Sequence, residues 1–203
     1  MPRPPSSDLL VIGCGALTRE LRLVVEQLGV PVDWAWLPAP LHNRPEKIVG
    51  EVERVLSERR QPGQRVLLGY ADCGTGGLLD ALCQREDLMR ISGDHCYEFY
   101  AGSDVFDAMA EAELGTFYLT DYLARHAETL VFGALGIEKH PELRDMYFGN
   151  YTRVMYLSQQ TDEGLIEQAR QVAERLKLEF VHHHTGYEPF VAAVAVHIAG
   201  SEV

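Results

Sequence analysis

The sequence predicts an α/β fold: an open, mostly parallel, doubly wound sheet with a helical insertion in the middle of the chain. Three observations predict it. Short apolar runs end abruptly in glycine or proline. Segments of helical periodicity lie between them. Over the first 85 or so residues the two kinds of segment alternate β-α-β-α-β-α, the order of a parallel sheet with right-handed crossovers.

The elements follow in order. Asp8-Leu9-Leu10-Val11-Ile12 reads as a buried strand that Gly13-Cys14-Gly15 breaks. Leu17, Leu21, Val24, Val25 and Leu28 then keep helical spacing up to Gly29. Val32 to Leu37 is a second strand, closed by Pro38-Ala39-Pro40. A helix runs from Pro45, suited to a first turn, to about Arg60, with Ile48, Val49, Val52, Val55 and Leu56 on one face. Arg65 to Tyr70 is a third strand and Thr75 to Arg85 a helix entered through glycines. Leu88 to Ser92 is a short fourth strand.

From Tyr97 to about Asn150 the chain reads as mostly helical, interrupted at Gly102 and Gly115 and loop-rich from His140. A last α/β unit follows: strand Thr152 to Leu157, helix Asp162 to Leu176, strand Leu178 to His183. Pro189 to Ala199 is helix or strand; periodicity does not separate the two. With no repeat and no low-complexity linker, residues 1–203 are expected to form a single domain with residues 97–150 as the insertion.

The 203 residues carry a net charge of −12, with 46% hydrophobic and 24% charged residues. That composition is ordinary for a globular chain large enough to bury a core. The acidic balance and the lack of a basic run argue against nucleic acid as a partner. The start, Met1 to Ser7, is Pro/Ser-rich and has no secretory signal, and the longest apolar run, Phe190 to Ala199, is too short for a bilayer. A cytoplasmic protein without a membrane partner is expected, and there unpaired cysteines are metal-binding, catalytic or buried rather than disulfide-bonded.

Three of the four cysteines fall where a strand gives way to the next segment. Cys14 lies between Gly13 and Gly15, Cys73 in Asp72-Cys73-Gly74-Thr75-Gly76-Gly77, and Cys96 in Gly93-Asp94-His95-Cys96-Tyr97-Glu98. In a parallel sheet such junctions share the ligand-binding edge. A thiol at the start of a helix is also expected to have a depressed pKa and to favour the thiolate. A shared metal site follows, holding either zinc, with a histidine or substrate atom as fourth ligand, or a [4Fe–4S] cluster with one open iron. The competing reading is three unrelated packing choices, because free cysteine behaves as a small hydrophobe. Cys83, inside a helix, is set aside.

Other residues join this edge. His42 and His95 are candidates for a fourth ligand or an acid/base group. Asn43 and Arg44, beside His42, would orient a substrate carboxylate, or else cap a helix and face solvent. Asp72, Gly74, Thr75, Gly76 and Gly77 resemble an anion cradle, though without the lysine or glycine spacing of a P-loop. A tight turn capped by Asp or Thr is the alternative. Glu98 completes the substrate-binding candidates. His182 and His184 share one strand face, with His183 opposite, as a metal-binding pair or an ordinary strand end.

On Gly13-Cys14-Gly15, Leu41-His42-Asn43-Arg44-Pro45, Asp72-Cys73-Gly74 and Gly93-Asp94-His95-Cys96-Tyr97-Glu98, the chain resembles a prokaryotic family known as domain of unknown function 1638. The resemblance spans Leu9 to about Gly186. It implies an association with corrinoid-dependent methyltransferases of methylamine-type metabolism, and hence one-carbon or methyl-transfer work. All three junction cysteines fall in its motifs.

Two functional expectations result. One is a metal-dependent transferase or lyase acting in one-carbon, methyl-transfer or sulfur metabolism on a small anionic or thiol substrate. The other is a non-catalytic binding or accessory protein for a corrinoid protein, a methyltransferase or a small ligand. A homo-oligomer is compatible with either.

Overall fold

The computed structural model describes residues 7–198. Residues 1–6 and 199–203, which include most of the Pro/Ser-rich start and Ala199 of the last apolar run, lie outside the described residues. The fold is an open α/β arrangement of parallel strands and helices, as predicted. Its strands fall into two sheets, and the chain divides into two compact units, Met1–Phe99 with Pro189–Val203, and Tyr100–Glu188.

The first unit holds β1 (Leu9–Cys14), α1 (Thr18–Gln27), β2 (Asp33–Leu37), α2 (Ile48–Arg59), β3 (Arg65–Gly69), α3 (Leu78–Glu86) and β4 (Met89–Arg90). The sheet order is β2-β1-β3-β4 and every pair is parallel. β1 is buried along its whole length, the reason its sequence is an unbroken apolar run. Leu21, Val24 and Val25 of α1 and Ile48, Val52 and Val55 of α2 supply the buried faces of those helices.

Gly13 and Gly69 are register partners at the carboxyl ends of β1 and β3. A Cβ at Gly13 would lie 2.5 Å from the Trp36 ring, and one at Gly69 would lie 2.4 Å from Leu21 Cδ2. Both glycines are needed for Leu21 and Trp36 to close on the strand ends.

β4 is only two residues long, shorter than the predicted strand from Leu88 to Ser92. The predicted helix from Pro45 begins as a 3-10 turn, Pro45–Lys47, before α2. The helix predicted from Thr75 begins at Leu78, because Gly76 and Gly77 both have positive φ.

The second unit contains α5 (Ser103–Ala112), β5 (Thr116–Thr120), α6 (Asp121–Arg125), a π-helical segment Glu128–Gly133, α7 (Leu143–Phe148), β6 (Arg153–Ser158), α8 (Glu163–Leu176) and β7 (Glu179–His184). α4 (Tyr97–Ala101) leads into it. Its sheet, β5-β6-β7, is parallel throughout.

β5 lies inside the stretch read as helical. Its β-branched and aromatic sequence Thr-Phe-Tyr-Leu-Thr pairs with β6 and overrides the helical spacing of its neighbours. α7 occupies part of the stretch read as loop. Leu119, Val154, Tyr156, Leu165, Ala169 and Val172 form the core of this unit. Asp162 caps α8, accepting from the N–H of Leu165 at 3.1 Å.

The undecided tail is helical, α9 (Glu188–Ile198). Phe190 packs tilted against Phe99 with ring centroids 5.4 Å apart, and Arg65 donates to the carbonyl of His197 at 2.9 Å. Among the described residues no helix is long and apolar enough to cross a membrane.

Candidate functional site

In the first unit β1 lies between β2 and β3, so the chain leaves β1 to one side and returns on the other. Open parallel sheets bind ligands at such a reversal, which here falls at the carboxyl ends of β1 and β3. Cys14 is the last residue of β1. Cys73 follows β3, in the turn into α3.

Parallel pairing continues past the regular strands. The N–H of Asp72 donates to the carbonyl of Gly93 at 2.9 Å, and that of Cys73 to the carbonyl of Asp94 at 2.9 Å. This brings the segment bearing Cys96 alongside Cys73.

The loop after β2 joins the same edge. A Cβ at Gly74 would lie 3.7 Å from the Pro45 ring, and one at Gly15 would lie 2.9 Å from the Leu37 carbonyl. Burial lowers the pKa of His42, and His95 lies near enough for its charge to add to that effect.

The three thiols are within electrostatic reach of one another. All four cysteines are free. Cys14 and Cys73 are buried, while Cys96 keeps part of its surface exposed around a thiol that is densely enclosed. Burial and then the neighbouring Cys14 push the Cys73 thiol up to about 12. Cys96 is raised well above the ordinary range by burial, then by Cys73 and Cys14. Cys14 is raised by burial, against the backbone N–H groups of Ala16 and Leu17 and the Tyr70 hydroxyl.

The expectation of depressed thiol pKa values is therefore corrected. Desolvation outweighs the helix-start field, and the cluster is protonated at neutral pH unless a cation enters. Cys73 also has φ 50°, a left-handed conformation that a residue with a Cβ adopts at a cost. Among the described residues no group of three or more His, Cys, Asp or Glu side chains is placed to hold a metal ion.

Two residues that sequence reasoning passed over organise the cluster. Tyr70 is fully buried at the end of the β3 run, and its hydroxyl has no hydrogen-bond partner of ordinary geometry. Cys14, Cys73 and Cys96 all act on it, Cys14 most strongly, and with burial they drive its pKa upward. Arg90 ends β4 with its side chain only 10% exposed. Its guanidinium pairs with Asp80 at 2.7 Å and donates to the carbonyls of Ile91 at 3.1 Å and Gly93 at 3.2 Å. A lone arginine inside the apolar run Leu88-Met89-Arg90-Ile91 was the legible signal.

The glycine-rich turn is closed by its own anion. The Asp72 carboxylate accepts from Thr75 Oγ1 at 2.5 Å and from the N–H groups of Gly76 at 3.0 Å and Gly77 at 2.9 Å. Burial pushes the Asp72 carboxyl up, but these bonds and Arg90 outweigh it and hold its pKa below the usual range. The donors expected to cradle a substrate anion are thus already used.

Glu98 does the same one turn later, accepting from the N–H groups of Asp94 at 2.6 Å and His95 at 3.0 Å. Asn43 and Arg44 stand exposed after β2, and α2 starts without a side-chain cap from Asn43. Cys83 lies within α3, as expected.

A family model described as "Protein of unknown function (DUF1638)" matches residues 36–194. The span takes in His42, Cys73, His95 and Cys96 and begins after Cys14. No curated protein and no solved structure matches the chain.

Proposed function

We propose that this chain, which belongs to the DUF1638 family of proteins of unknown function, is a metal-dependent enzyme whose metal is held by Cys14, Cys73 and Cys96. The observation that carries this reading is the gathering of three thiols around the buried Tyr70 hydroxyl, which acts on Cys14 without a hydrogen bond of ordinary geometry. A buried donor held only by so irregular a contact is left partly unsatisfied, a cost that a ligand accepting from it in the cluster would remove. By residue type, three sulfurs with His42 and His95 nearby would suit a soft or borderline ion once the side chains closed on it.

Zinc bound there would hold a substrate thiol deprotonated at neutral pH, and a [4Fe–4S] cluster would offer one open iron as a Lewis acid. The chain's own residues divide the remaining work. Tyr70 donates a hydrogen bond into the site. His42 and His95 give or take a proton at the substrate. Arg90 fixes the distance between the Cys73 and Cys96 segments, and Asp72 and Glu98 hold the two turns. Because those turns are filled by carboxylates, a small thiol is the better-supported substrate than an anion. The assignment to transferase or lyase chemistry in one-carbon or sulfur metabolism rests on the family resemblance.

Metal and sulfide analysis of protein purified without air tests the reading. Stoichiometric zinc in colourless protein supports one branch; iron with sulfide in brown protein supports the other. Each Cys→Ser change at 14, 73 and 96 should release the metal. Protein handled in this way that carries neither metal overturns the reading.

A second reading, a non-catalytic accessory protein for a corrinoid methyltransferase system, draws on Leu78. It is 57% exposed on the first turn of α3, beside the thiol edge. Under that reading partner binding survives all three Cys→Ser changes and fails on Leu78→Asp.

A further inference from the structure

The carboxyl edge of the second unit's sheet carries its own cluster. Ser158 ends β6 and pairs in register with His184, and Tyr156 with His182, across the parallel β6–β7 ladder. Alternation puts both imidazoles on one face of β7, and they meet at a single atom. Ser158 Oγ lies 2.8 Å from His182 Nε2 and 2.9 Å from His184 Nδ1. Ser158 is fully buried, while His182 and His184 are exposed. The cluster is therefore anchored from below and open above. The Tyr156 ring stacks on His182 with centroids 5.3 Å apart, which fixes the orientation of that ring.

We propose that Ser158, His182 and His184 form a binding site for a divalent transition-metal ion of the zinc, nickel or copper class. Three features support it. Two ring nitrogens already converge on one point, so little reorganisation is needed to share an ion. A serine hydroxyl can donate to one imidazole and accept from the N–H of the other, so all three groups already aim donor or acceptor atoms at one another. An ion bound between the nitrogens would take the place of those hydrogen bonds, with the hydroxyl oxygen as a third donor. Finally, burial and then His184 and His183 lower the pKa of His182, keeping it in the neutral form that binds metal. Two imidazoles and a hydroxyl leave positions for water or a substrate atom, and nitrogen donors favour this class of ion over calcium or magnesium.

The site lies within the second unit and stands independently of the cysteine cluster. Titrating the full-length protein with zinc or nickel, with and without the Cys14→Ser change, while following histidine side-chain NMR signals reads it directly. The His182 and His184 signals should move together and saturate, with His183 unaffected.

His182→Ala and His184→Ala should each abolish the response of the remaining ring. Ser158→Ala should weaken binding about 10–100-fold, the usual cost of losing an orienting partner. His183→Ala should leave the titration unchanged. Rings that ignore the metal in well-folded protein overturn the proposal. So does a response of one ring that survives removal of the other.

Discussion

Arg90 Nη1 donates to the carbonyl of Gly93 at 3.2 Å, and the same oxygen accepts from the N–H of Asp72 at 2.9 Å. One carbonyl thus joins the end of β4 to the turn that carries Cys73. Arg90→Ala leaves that end of β4 without its charged donor. It should destabilise the protein by about 2–3 kcal/mol in urea unfolding and lower the affinity for zinc. Arg90→Lys should recover little, because an ammonium cannot span Asp80 and two carbonyls with a planar fork.

Protonation of the thiols gives a pH signature. Their folded pKa values lie above the unfolded value of about 8.5, with Cys73 at about 12. The metal-free fold therefore binds more protons than the unfolded chain in that window. Its stability is fully present below about 8.5 and falls as pH rises toward about 12, by up to about 1.4 kcal/mol per pH unit for each thiol. Chemical denaturation across this range checks it, and zinc-loaded protein should not show the fall. Calorimetry at neutral pH in buffers of different ionisation heat should count about three protons released per zinc bound.

Tyr70→Phe separates structure from function. In metal-free protein the change removes a buried unsatisfied donor and should be neutral or stabilising by about 1 kcal/mol. Affinity for the cluster's ligand should fall. A loss of metal-free stability of several kcal/mol would show that the hydroxyl serves the fold instead.

Cys73 and Cys14 should respond oppositely to glycine. With φ 50°, Cys73→Gly should be more stable than Cys73→Ala by about 1 kcal/mol. Cys14 has φ −66° and ψ 135°, where glycine gains nothing, so Cys14→Gly should be the less stable of its pair. Thermal melts of the four variants test both.

Gly13→Ala places a methyl group against the Trp36 ring and should cost about 1–3 kcal/mol. Because Gly13 adjoins Cys14, the same variant should hold zinc less tightly than wild type.

Cys14 and Cys73 were legible because each follows an unbroken apolar strand and sits among glycines, which fixes both the edge and the turn. Cys96 was harder. Its strand is reduced to Met89–Arg90, and its alignment with Cys73 depends on bonds from Asp72 and Cys73 to the carbonyls of Gly93 and Asp94. Irregular backbone pairing of that kind leaves no periodic trace. Tyr70 read as one more apolar strand residue, since nothing local tells where its hydroxyl ends. β5 was absorbed into the helical middle because its aromatic residues continue a stripe at helical spacing, although Gly115 and the two flanking threonines mark it as a strand. Ser158 and His184 were separately visible, but only the β6–β7 register brings them together.

The carboxylates of Asp72 and Glu98, folded into the two turns beside the thiols, also act as a filter. On the proposed reading, negative charge placed at the rim disfavours phosphorylated and carboxylated metabolites alike. Cations and uncharged molecules would meet no such opposition there. Selection at this edge is then made by charge, before shape or reactivity is consulted, and the commonest anions of the cell are turned away first.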